Sequence, residues 1–97
     1  MKRNHSSSFT WDFEKELINI YKHGVDFVTA AKAFKDPKRK IYTDVKHSRD
    51  EERFFCIGKV NGRILTVRFI YRAGKIRIIG AGYWRKGAAY YEKKDNR

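Results

Sequence analysis

Apolar residues first recur at helical spacing at Phe13, Leu17, Ile18 and Tyr21, which predicts a helix over residues 12–23. Thr10 or Asp12 stands where a side-chain oxygen caps such a helix. Lys22 and His23 make a basic last turn, and Gly24 is the stop. Asp26 opens a second helical pattern with Phe27, Ala30, Ala31 and Phe34 on one face. Asp36-Pro37 ends it, because the residue before a proline avoids the helical region. Upstream, Phe9-Thr10-Trp11 reads as a short strand or a docking segment, and residues 1–8, with His5, as a mobile polar tail. Residues 38–51 are polar, with one short strand at Ile41-Tyr42-Thr43.

From residue 53 the period changes to two. Strands are predicted over 53–60, 63–71 and 75–82, joined at Asn61-Gly62 and Ala73-Gly74. Two-residue turns at both places set Cys56 opposite Val67, Phe54 opposite Phe69, and Phe69 opposite Ile78. One face then carries Phe54, Cys56, Val60, Leu65, Val67, Phe69, Ile76 and Ile78, a core for the two N-terminal helices to cover. The other face mixes Phe55, Ile57, Lys59, Ile64, Thr66, Ile70 and Ile79 with Arg53, Arg68 and Arg77. A slip of one residue in either turn would send part of this set into the core, and burying unpaired arginines costs several kcal/mol each, which favours this register. A last helix is predicted over 83–94, with residues 95–97 as a second tail. The fold class is α+β: two N-terminal helices and a C-terminal helix packed on an antiparallel β-meander, as one domain over 9–94.

Composition sharpens this picture in one respect. The 97 residues hold 23 Lys and Arg against 11 Asp and Glu, a net charge of +12. That surplus favours a polyanionic partner, with nucleic acid first and an acidic protein or anionic membrane as rivals. Most of the cations have no acidic residue to pair with. The arginine face therefore has two readings: pairs with Asp50, Glu51 or Glu52, or a phosphate cradle built from bidentate guanidinium groups. The chain has no long apolar run, which argues against a membrane span or signal peptide and for a cytoplasmic protein. The single cysteine, Cys56, falls on the core face and reads as an inert buried thiol. Phosphate-binding glycine loops, HExxH and Cys-His ligand spacings are all missing, so no cofactor and no metal are expected.

The opening pattern is also specific in its spacing. Trp11-Asp12, Lys15, Asn19 and Lys22-His23-Gly24-Val25, then Phe27, Ala30-Ala31, Phe34 and Asp36-Pro37, resemble the BrnT-type toxins. The likeness continues through Glu52-Arg53, Ile57-Gly58, Arg63-Ile64-Leu65 and Arg77-Ile78-Ile79, and covers about residues 9–81. It implies a RelE-like fold and a ribonuclease toxin of a type II toxin–antitoxin module. It further implies neutralisation by a BrnA-type antitoxin and contact with DNA only through the toxin–antitoxin complex. The chain departs from the family where Ser-Ala-Arg is usual after the last strand: here stands Gly80-Ala81-Gly82. The acidic-basic pair usual in the terminal helix is replaced around Ala88-Ala89.

RNA cleavage without metal needs a base for the 2′-hydroxyl, cations for the charge growing on the phosphoryl oxygens, and an acid for the leaving oxygen. Arg53, Arg68 and Arg77 suit the cationic role. His23, with Lys22 beside it, is the acid–base candidate by type, or else a histidine that caps its helix. His47 reads as a solvated loop residue. Lys59, Arg85, Lys86 and Tyr91 are the RNA-contact candidates; Tyr91 has helix packing as its alternative. Trp84 and its neighbouring tyrosines, interleaved with cations, suit either stacked bases or packing on the sheet. The expectation is a metal-independent ribonuclease toxin. Its alternative is a catalytically weak nucleic-acid-binding module that acts with its antitoxin in operon repression.

Overall fold

The computed structural model describes residues 8–93. The tails expected over 1–8 and 95–97 lie outside these residues apart from Ser8, as does the last residue of the helix expected over 83–94. Ten segments follow in order: β1 (Phe9–Trp11), α1 (Phe13–His23), α2 (Phe27–Ala31), a 3₁₀ turn (Lys32–Lys35), β2 (Lys40–Thr43), a second 3₁₀ turn (Val45–His47), β3 (Phe54–Val60), β4 (Arg63–Arg72), β5 (Lys75–Gly82) and α3 (Arg85–Glu92). The fold is α+β.

The caps act locally. Asp12 accepts from the backbone N–H groups of Glu14 and Lys15 at 2.8 and 3.2 Å, and Gly24 closes α1 at φ 71°. Asp26 accepts from the Thr29 N–H and hydroxyl at 3.2 and 2.6 Å and opens α2. Asn61 and Gly62 take φ 51° and 82°, and Ala73 and Gly74 take 54° and 76°; both pairs have the double positive φ that matches hairpin twist.

The five strands form one sheet in the order β1-β5-β4-β3-β2. It is mixed rather than wholly antiparallel, because β1 runs parallel to β5 and sets Phe9 beside Ile76 and Trp11 beside Ile78. The chain enters along an edge of β5 that would otherwise be bare, and Phe9 and Trp11 turn inward against Phe34 and Phe27. In the two hairpins Cys56 lies opposite Val67, Phe54 opposite Phe69, and Phe69 opposite Ile78, as the turns dictate. A bulge at Arg68/Phe69 then shifts the register, so that Arg68 faces Gly80 and Val67 faces Ala81.

The core joins Val25, Phe27, Ala30 and Ala33 to Cys56, Leu65, Val67, Phe69 and Ile78 from the sheet. Burial pushes the Cys56 thiol up to about 12, which keeps it protonated and inert. The expectation that both N-terminal helices cover this core needs correcting. The segment from Val25 through the first 3₁₀ turn covers it; α1 lies at the β5 edge and buries only Asn19. Phe13, Leu17, Ile18 and Tyr21 face outward. Polar groups hold α1 in place. Asn19 Nδ2 donates to the carbonyls of Val25 and Ala81, both at 2.9 Å, and Asn19 Oδ1 accepts from Ala81 N–H at 3.1 Å. The Asn19 amide thus continues the ladder on β5 past the end of β1. Glu16 accepts from Trp11 Nε1 at 3.1 Å and from Phe27 N–H at 2.9 Å, tying β1, α1 and α2.

Asn19→Ala leaves three buried backbone groups without partners, and should lower stability by about 2–3 kcal/mol. Urea unfolding measures this; an unchanged midpoint would show that α1 is held by something else.

The opposite face of the sheet is divided. The α3 helix lies over Phe55, Ile57 and Thr66, with Gly87 seated on Thr66, so the apolar half receives the terminal helix. The arginine half stays open.

Candidate functional site

Antiparallel pairing places Arg77 of β5 opposite Ile70 of β4, and Arg68 of β4 opposite Phe55 of β3. Arg53 precedes β3 by one residue. Its N–H donates to Ser48 Oγ at 2.9 Å and its carbonyl accepts from Asp44 N–H at 2.7 Å, which pins the polar loop at its neck. These constraints bring Arg53, Arg68 and Arg77 onto one basin of about 260 Å³, with Lys15, Glu51, Arg72 and two isoleucines completing its walls. Five cationic side chains thus share the basin with one carboxylate.

That carboxylate is taken. Both oxygens of Glu51 accept from Arg72 Nη2, at 3.2 and 3.3 Å. Among the described residues, Arg53, Arg68 and Arg77 have no ion pair. Arg68 Nε is buried with no hydrogen-bond partner. Its guanidinium lies against Gly80, where a Cβ would come within 2.5 Å of Nη2 and 3.0 Å of Nε. The Gly80-Ala81-Gly82 triplet lies within β5 rather than after it, and Gly80, with no side chain, is what gives Arg68 its place. Unpaired cations gathered around one concavity repel each other and favour an anion between them.

The remaining candidates stand elsewhere. His23 and Lys22 are exposed at the end of α1 and do not line the basin; the His23 ring meets Trp84 edge-on at 5.1 Å. Trp84 and Lys86 line an apolar cleft of about 430 Å³ with Phe55, Ile57, Thr66 and Tyr90. Phe55 is the cross-strand neighbour of Arg68, so cleft and basin adjoin. Lys59 stands at the far end of β3, roughly 20 Å from Arg53 at about 3.3 Å per residue. There it shares a basic depression with Arg63 and Arg85, and the Arg63 guanidinium lies 3.7 Å over the Tyr83 ring. The outer face thus carries basin, apolar cleft and second basic depression in succession.

Tyr91 is committed to the fold. Its hydroxyl donates to Asp36 Oδ2 at 2.5 Å, and Asp36 also accepts from the N–H groups of Lys59 and Lys38 at 2.7 and 2.9 Å. Asp36 pushes the Tyr91 phenol up to about 12. Burial raises the Asp36 carboxyl, but the hydrogen bonds from Tyr91, Lys59 and Lys38 outweigh it and hold the group below its ordinary value. Tyr91→Phe should therefore lower the melting temperature most at neutral pH. The lowered Asp36 value means its contribution is lost as pH falls through the folded-state value. The raised Tyr91 value means its contribution is full below the ordinary phenol range and lost as pH rises toward about 12. Melts of both proteins from pH 3 to 11 check this; a constant offset between them would show that the link carries no charge.

One arrangement lies outside the candidates that the sequence offers. The buried Asp44 carboxylate lies 2.9 Å from His47 Nδ1, in the loop that ends at Arg53. A carboxylate that orients an imidazole is an acid–base arrangement. Its signal was Asp-x-x-His, one 3₁₀ turn apart. Among the described residues no group of three His, Cys, Asp or Glu side chains could hold a metal ion, and no helix is long and apolar enough to cross a membrane.

A family model described as a ribonuclease toxin, BrnT, of a type II toxin–antitoxin system matches residues 11–87. No curated protein matches the chain.

Proposed function

Because the chain belongs to the BrnT family of ribonuclease toxins of type II toxin–antitoxin systems, we propose that its arginine basin holds the scissile phosphate of an RNA strand. Family membership carries RNA as substrate and an antitoxin as partner. The observation that carries the residue assignment is that Arg53, Arg68 and Arg77 gather around one concavity with no ion pair among the described residues. In this reading the 2′-oxygen attacks the neighbouring phosphorus while its proton passes to a base. The O2′–P bond forms and the P–O5′ bond breaks, leaving a cyclic phosphate and a protonated 5′-oxygen. The three arginines stabilise the charge gathered on the phosphoryl oxygens.

Glu51 lines the basin as the proton acceptor, its two oxygens sharing the one Arg72 nitrogen and keeping lone pairs free, and His47, oriented by Asp44, is the imidazole in the adjoining loop that gives the departing 5′-oxygen its proton. His23 and Lys22 are assigned to the strand farther along, beside Trp84 and Lys86, where a base stacks in the apolar cleft. Lys59 and Arg85 take a phosphate beyond it. The arginines neutralise the phosphoryl charge that a metal ion could otherwise neutralise, so cleavage is assigned as metal-independent. We extend the reading to a RelE-like architecture, action in the cytoplasm, a BrnA-type antitoxin, and DNA contact only through the complex with it.

A second reading has an observation of its own. The carboxylate in the basin is paired with Arg72, and neither His23 nor Lys22 lines it, which suits a nucleic-acid-binding module with weak catalysis. Digestion of RNA by the purified protein at low salt, with and without chelator, separates the two. Decay that the chelator leaves unchanged supports the first. Binding with a steep salt slope and no decay supports the second.

A further inference from the structure

The α1 helix is docked with its sides reversed. Its polar residues Asn19 and Glu16 face the body and bond to β5, α2 and Trp11, while its apolar residues face solvent. Phe13 is 67% exposed, Leu17 49%, Ile18 55%, Ile20 41% and Tyr21 91%. At 100° per residue these five fall on one continuous arc of about 160°, opposite Asn19; Glu14 interrupts it only in the first turn. A folded domain gains nothing from so wide an apolar face in water, and contiguous exposure of this kind marks an interaction surface.

Charge selects the occupant. Beyond Ile18 the arc is bordered by Lys22 and Lys15, and Lys15 is itself a wall of the arginine basin. A second copy of this chain would bring another net charge of +12 to the contact. A polypeptide with an apolar face and acidic flanks would instead cover the arc and meet the lysines with opposite charge. We infer that the exposed arc of α1 seats an acidic amphipathic helix of the antitoxin, with its acidic side toward Lys15 and the basin. The inference rests on the toxin–antitoxin character of the family and adds the surface and the chemistry of its partner. It also gives inhibition a physical route, since carboxylates beside Lys15 compete with phosphate for the same cations.

The probe is a synthetic helical peptide of about 18 residues, five turns, with leucines along one face and glutamates on the other. A scrambled peptide of equal composition, lacking the face, is its control. The protein partners are the wild-type chain and Leu17→Ser/Tyr21→Ser, whose substituted positions are exposed, with melts confirming the fold. The amphipathic peptide should bind wild type at least tenfold more tightly than the scrambled one does, and lose at least tenfold on the double variant. Equal binding of the two peptides, or an unchanged affinity for the variant, overturns the inference. So does sedimentation of the wild type as a dimer that the double variant abolishes, because a second copy would then be the occupant. RNA cleavage by both proteins is measured alongside. Its absence in the wild type counts against the RNA assignment, while the peptide result counts for or against the docking surface alone.

Discussion

Arg53→Ala, Arg68→Ala and Arg77→Ala should each lower RNA cleavage by two to three orders of magnitude without unfolding the protein. The size follows from what a fixed donor is worth where charge develops in a transition state, about 3–4 kcal/mol. The sign on stability is the sharper part. Arg68 holds a buried Nε with no partner, and all three guanidinium groups lack a carboxylate among the described residues. Removing any of them relieves like-charge crowding and sacrifices no ion pair, so the melting temperature should stay level or rise. Binding of single-stranded RNA should weaken across all sequences, with the salt slope reduced by about one per arginine removed. Arg72→Ala is the contrast. It breaks the pair with Glu51 and leaves a carboxylate in the basin, which repels phosphate through the group left behind. Melting temperatures and cleavage rates measured on the same preparations decide the matter. If activity falls only in step with stability, the arginines are structural and the basin is not a phosphate site.

The same arginines show how far the sequence could be read. Asn61-Gly62 and Ala73-Gly74 demand a tight turn, and a tight turn fixes register, so which residues share a face followed from local chemistry. The bulge that sets Gly80 beside Arg68 left no such mark, because it depends on how β5 must bend beyond Ile78 to meet both β4 and the Asn19 amide. The Glu51–Arg72 pair joins positions 21 residues apart, which no local pattern discloses, and it removes Glu51 as a partner for Arg53. The orientation of α1 departs furthest from what its periodicity implies. Periodicity reveals that a helix has an apolar side, but not which side of the helix meets the body of the protein. Here the inward side was written in Glu16 and Asn19, whose partners lie as far as 62 positions away. His47 was legible in principle from Asp44-x-x-His47, yet the weight of such a pair depends on the carboxylate being buried, and loop sequence does not disclose burial.

Gly58→Ala should cost about 3 kcal/mol or more, the largest stability loss of any single methyl addition in the sheet. Gly58 lies in β3, which is paired on both sides, with β2 and with β4. The first 3₁₀ turn crosses directly over it. A Cβ there would run into the carbonyl oxygen of Ala33, and would sit 3.1 Å from the Ala33 carbonyl carbon and 3.2 Å from its Cα. All three are backbone atoms, so no side-chain rotation relieves the contact. The turn has to lift, and with it go Ala33 and Phe34, whose ring packs on Phe69 at 5.0 Å in the centre of the core. Against a total stability of about 5–15 kcal/mol, such a loss lowers the melting temperature of a domain this size by roughly 15 °C. Gly80→Ala supplies the control within the same sheet. The atoms nearest its added methyl are all at the far end of the Arg68 side chain, which can swing aside, so stability should barely move while RNA binding weakens as the guanidinium leaves its place. Circular-dichroism melts of the two variants test the contrast. Should Gly58→Ala melt within about 2 °C of wild type, well under the shift that a single kcal/mol produces, the close approach of the turn to β3 would have to be wrong.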